Sequence, residues 1–171
     1  MSAGSSPARA WWPAKARQFW RHLAGRVSAA ERAELDRWLT PAQRRLFEDM
    51  HRADRRHGLD VVAELRRQGH ADPDLLLAGL LHDCGKDRSV GLWHRVAWSL
   101  GERYGDGVRH LLARLPGFAA AFVNLEQHAD RSAELCLAAG CGERVAHLVR
   151  NQSQPGSDSM GQALYLADEV S

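Results

Sequence analysis

The sequence predicts an all-α fold, a single helical bundle with an N-terminal helical extension. Three observations carry that expectation. Apolar residues recur at three- and four-residue spacings over most of the chain. Capping residues, prolines and glycines fall where those runs begin and end. Sustained two-residue alternation rich in β-branched residues, the mark of strands, is missing, as is any internal repeat.

The elements follow in order. Residues 1–10 are small and polar, with nothing to bury. Trp11, Trp12, Phe19, Trp20, Leu23 and Val27 come next among Arg9, Lys15, Arg17, Arg21 and Arg26, so residues 1–27 read as a flexible basic, Trp-rich arm. Two readings of this arm stand: tryptophans packed over the domain, or a peripheral membrane or protein contact. From 28 to 171 the chain reads as one domain. Ser28-Ala29-Ala30-Glu31 is a capping box that opens a helix to about Leu39, and Thr40-Pro41-Ala42-Gln43 repeats the device. From Pro41 the pattern predicts one long helix, ended by Arg66-Arg67-Gln68-Gly69 with a basic last turn and a glycine. Asp72 caps and Pro73 starts a core helix that runs through Leu75-Leu76-Leu77-Ala78-Gly79-Leu80-Leu81. Gly85 to Gly91 reads as a loop. Trp93 to Tyr104 and Gly107 to Leu115 are predicted as short helices, Phe118 to Gln127 and Ala129 to Ala139 as two more, and Glu143 to Arg150 as another. Asn151 to Ser159 is a loop, and a last helix from Met160 to Val170 carries Asp168.

Composition bounds the function. With 171 residues, 44% apolar and 26% charged, the chain suits one ordinary globular domain with a real core. A net charge of +2 does not predict stable nucleic-acid binding. Three cysteines, Cys84, Cys136 and Cys141, form no CxxC pair and fit free thiols in a reducing compartment. No apolar run reaches the roughly 18 residues of a membrane span, so the expected location is the cytoplasm.

The core helix is apolar almost all round, yet it ends in His82-Asp83. A carboxylate delivered there from the interior costs several kcal/mol unless a cation or a dense hydrogen-bond network meets it. Together with His57 and Asp168, these residues compose a mixed imidazole and carboxylate set. Two nitrogens and two oxygens suit a first-row divalent ion, Mn, Fe, Co, Ni or Zn, better than Ca or Mg.

The order His57, His82-Asp83, Asp168, with Gly85-Lys86 behind the doublet, resembles the HD-domain superfamily of metal-dependent phosphohydrolases. His82-Asp83-Cys84-Gly85-Lys86 is similar to its His-Asp-Ile-Gly-Lys variant, and the likeness runs over about residues 41–171. It implies an HD-type bundle in which His57, His82, Asp83 and Asp168 hold one ion, with Asp83 also catalytic. His128 matches the first of the histidines that bind a second ion in binuclear members. Where the next of them is expected, near 151–152, this chain has Asn151 and Gln152.

Lys86 lies three residues after Asp83, where an ammonium can hold a phosphate oxygen and stabilise charge at phosphorus. Arg56 and His128 are further candidates for substrate binding. Arg88 is a weaker one, Asp87 a candidate general acid or a support behind the ligands, and His94 the remaining histidine nearest this loop. Cys84 reads as a packing residue. The implied function is hydrolysis of a phosphate ester or anhydride, of a nucleotide in the leading reading, by metal-activated water. The alternative is a degenerate domain of the same fold that binds a nucleotide or a partner for regulation.

Overall fold

The computed structural model describes residues 26–86 and 90–171; the arm expected over 1–27, Arg26 and Val27 apart, and Asp87 and Arg88 lie outside them. The described residues form nine helices and no strand, an all-helical bundle. In chain order these are α1 (Ala29–Trp38), α2 (Pro41–Asp49), α3 (Arg52–Arg67), α4 (Pro73–Leu81), α5 (Leu92–Tyr104), α6 (Asp106–Ala113), α7 (Phe118–Ala138), α8 (Glu143–Arg150) and α9 (Ser159–Val170).

Both predicted capping boxes form. Ser28 Oγ accepts from the Glu31 amide at 3.2 Å while Glu31 Oε2 accepts from the Ser28 amide at 2.8 Å. Thr40 and Gln43 do the same for α2, at 3.3 and 3.0 Å. The long helix expected from Pro41 is instead two. Met50 turns extended and buries its side chain, and His51 starts the next helix by accepting the Ala53 amide on Nδ1 at 3.2 Å. The two helices expected from Phe118 to Ala139 are instead one of 21 residues, α7, because neither glycine nor proline interrupts it. His128 therefore lies within a helix and not at the start of one.

α4 is the axis of the main core. It packs against α2, α3, α8 and α9, and Leu75, Leu80 and Leu81 have no solvent exposure at all. Burying each such leucine contributes about 1.5–3 kcal/mol, enough to carry a polar terminus inward. Val27, the last residue of the expected arm, also belongs to this core. A second, smaller core joins α5, α6 and the first half of α7 around Val90, Ala97, Ala121, Phe122 and Leu125. No helix among the described residues is long and apolar enough to cross a membrane.

α1 is tied to α3 by Arg56. Its Nη1 donates to Glu31 Oε1 at 2.6 Å, while Nε and Nη2 donate to Asp60 Oδ1 at 3.1 and 2.8 Å. Burial pushes the Glu31 carboxyl up, but hydrogen bonds from Arg56 and Ser28 outweigh it and bring it down to about 2. Its ordinary value is 4.5, so the lowered group stabilises the fold above that pH and loses its contribution as pH falls toward 2. Urea titrations should show wild type more stable than Glu31→Gln at pH 6, with the gap closing between about pH 4.5 and 2. A gap that stays constant over that range would contradict the clasp.

Candidate functional site

The site is built where α4 stops. His82 is the C-cap of α4, and its Nδ1 donates back to the Gly79 carbonyl at 2.9 Å, which fixes the tautomer and turns Nε2 away from the helix. The next residue, Asp83, is as deeply buried as His82, each with a side chain only 2% exposed. Leu81 O accepts from the Cys84 amide at 2.9 Å and Asp83 O from the Lys86 amide at 3.0 Å, so the chain turns tightly instead of continuing as helix.

α3 supplies His57. A β-carbon on the neighbouring Gly58 would collide with the Leu80 carbonyl oxygen, and one on Gly79 would stand 2.9 Å from Leu65 Cδ1. Two glycines thus let the α3 and α4 backbones approach, and the His57 and His82 rings meet edge to face at 5.1 Å. α9 supplies Asp168. Its Oδ1 accepts from His57 Nε2 at 2.6 Å and lies 3.5 Å from His82 Nε2. With Asp83 Oδ2 at 3.6 Å from His82 Nε2, all four residues named from the sequence converge. Potential ligand atoms of His57, His82 and Asp83 lie within 4.8 Å of one another. Asp168, 37% exposed, marks the side open to solvent.

Lys86 and His128 complete the cluster. Lys86 Nζ donates to Asp83 Oδ2 at 2.6 Å. His128 Nδ1 donates to the Leu125 carbonyl one turn back, which leaves Nε2 facing Asp83 Oδ1 at 3.5 Å. The turn reaches α7 through Gly85, whose amide donates to the buried Ser132 Oγ at 2.8 Å. Cys84 packs in the core as expected, its thiol directed at the Ser132 carbonyl at 3.6 Å. Arg56 is engaged by Glu31 and Asp60, so its fork is committed to the fold and not to the cluster. His94 caps α5, accepting the Gly91 amide on Nδ1 at 3.0 Å, and meets the Phe118 ring edge to face.

The electrostatics follow from burial and sign. Burial lowers the His82 pKa, but Asp83 and Asp168 outweigh it and raise it to about 9. Burial raises both carboxyls, yet Lys86 and His82 hold Asp83 well below the ordinary range, and His57 and His82 do so for Asp168. Burial wins at His128, whose pKa falls. Two carboxylates converging on the His57 and His82 rings make a pocket that attracts a cation. The donor set of imidazole nitrogen and carboxylate oxygen fits a first-row divalent ion, which would take the place of protons.

Sequence reasoning missed three supports: Gly58, Ser132 and Gln152. A small residue beside His57 was the available signal for the first. Ser132 and Gln152 act across long chain separations: no spacing announces Ser132, and the spacing that marks Gln152 as an amide in place of a histidine does not announce that its Nε2 donates to the His82 carbonyl. No family model, curated protein or solved structure matches the chain.

The close approach of the ligand turn to α7 is testable. A β-carbon at Gly85 would stand 2.5 Å from the His128 carbonyl oxygen and from the Ser132 amide nitrogen, both of them backbone atoms. Gly85→Ala should therefore lower the unfolding free energy by about 1–3 kcal/mol in urea titration. A variant as stable as wild type would mean that the turn does not lie against α7.

Proposed function

We propose that the chain is a metal-dependent phosphohydrolase of the HD-domain type, which cleaves a phosphate ester or anhydride of a small substrate. One observation carries the reading: two imidazoles and two carboxylates from α3, the end of α4 and α9 meet within contact distance at one partly open point. The resemblance of His57, His82-Asp83 and Asp168 to the superfamily's ligands supports it, and points to nucleotides as the substrate class.

When bound, a divalent ion supplies an activated water and charge neutralisation at phosphorus. His57, His82, Asp83 and Asp168 are the residues that would hold it. Lys86 sets a positive charge on Asp83 and, at 19% exposed, is the cation of the cluster that a phosphoryl oxygen would meet. His128 offers an uncharged Nε2 beside Asp83 Oδ1, placed to orient a water or a substrate hydroxyl, or to join a second ion. Asn151 and Gln152 stand where binuclear members of the superfamily have a histidine, which favours one ion per chain, and the Gln152 side chain is turned to the His82 carbonyl.

A second reading has one observation in its favour. Lys86 Nζ sits directly on Asp83 Oδ2, a charge pairing that would also serve a domain that keeps the fold and binds a nucleotide or partner for regulation. Turnover decides between them. The full chain, assayed with Mn, Fe, Co, Ni or Zn against nucleotides and bis(p-nitrophenyl) phosphate, should hydrolyse at least one substrate. His82→Ala and Asp83→Ala should lose at least about 100-fold in kcat, and Lys86→Met on the order of 100-fold. Nucleotide binding with no turnover under any metal would give the second reading.

A further inference from the structure

The carbonyls of the turn that carries His82 and Asp83 are at the end of a helix, where intrahelical donors run out. Local groups meet three of them: His82 Nδ1 at Gly79 O, the Cys84 amide at Leu81 O and the Lys86 amide at Asp83 O. The His82 carbonyl is met from far along the chain. Gln152 Nε2 donates to it at 3.2 Å, and the Gln152 side chain is buried with the residue 6% exposed.

Gln152 is itself held in place. Its amide donates to the Val149 carbonyl at 3.4 Å, one turn back at the end of α8, and α8 is anchored by the fully buried Val145 and Val149. The carbonyl it grips belongs to the peptide that joins His82 to Asp83, so one hydrogen bond sets the plane from which both side chains depart.

We infer that Gln152 is a positioning residue for the His82-Asp83 pair, acting through the main chain rather than by touching an ion or substrate. This rests on the metal-centre reading above. Loss of the donor leaves the His82 carbonyl buried without its partner and lets the peptide plane rotate, which shifts both ligands together. Outer supports of this kind typically change metal affinity about 10–100-fold.

The test is Co(II) binding to the full chain, followed by calorimetry and by visible absorption, for wild type, Gln152→Met and Leu148→Ala. Gln152→Met keeps the length and removes the donor. Leu148, also buried in α8, gives a variant that loses stability with the Gln152 side chain intact. The expected result is a dissociation constant weakened about 10–100-fold and an altered Co(II) spectrum in Gln152→Met, against a change under about 2-fold in Leu148→Ala. Should Gln152→Met not fold, Gln152→Glu, which sets an acceptor against the carbonyl, is read the same way. Equal affinities and spectra in wild type and the Gln152 variants overturn the inference, as does an equal loss in Leu148→Ala. A wild type that takes up neither Co(II) nor any other of the five metals overturns the metal-centre reading itself, and with it this inference.

Discussion

The structure depends on one constraint: the carboxylate of Asp83 is buried at the end of the most apolar of the described helices. Charge in such a place is tolerated only with compensation close at hand. The surrounding elements meet that demand from several directions. Lys86 arrives from the same turn, His82 from one residue before it, and His128 from α7. Removing the positive charge of Lys86 or His82 would leave a buried anion in the low-dielectric core, while His128 contributes a polar nitrogen and not a charge, so the ligands and their neighbours form one electrostatic unit, not a row of separable contacts.

Backbone proximity makes that unit possible. Gly58 and Gly79 bring α3 against α4, and Gly85 brings the turn against α7. A side chain at Gly58 or Gly85 would meet backbone and push the helix or the turn outward, whereas one at Gly79 would meet the Leu65 and Val61 side chains. Hydrogen bonds from Ser132 Oγ and Gln152 Nε2 then hold the turn from two sides. The cluster is thus shaped by glycine and by main-chain contacts as much as by the groups that carry charge.

Much of this was legible in the sequence, for physical reasons. Caps act within three residues, so Ser28-Glu31, Thr40-Gln43 and Asp72-Pro73 announced three helix starts. The apolar run of α4 and the polar doublet at its end required an interior site of some kind. The break at Met50-His51 was not legible, because Met50 continues the apolar spacing while its backbone turns extended. The continuity of α7 was hidden by the polar stretch around His128. The fate of Arg56 was decided by Glu31 and Asp60, the first of them in a different helix, and a lone sequence offers no way to weigh such partners against a substrate.

The closing carboxylate of the cluster comes from α9, the last helix described. Until α9 docks, His57 and His82 lack the Asp168 oxygen that draws them together. During synthesis the amino-terminal helices are therefore laid down well before the assembly is whole, and two imidazoles wait without their shared acid. Translation order thus holds the pocket open until α9 has been made.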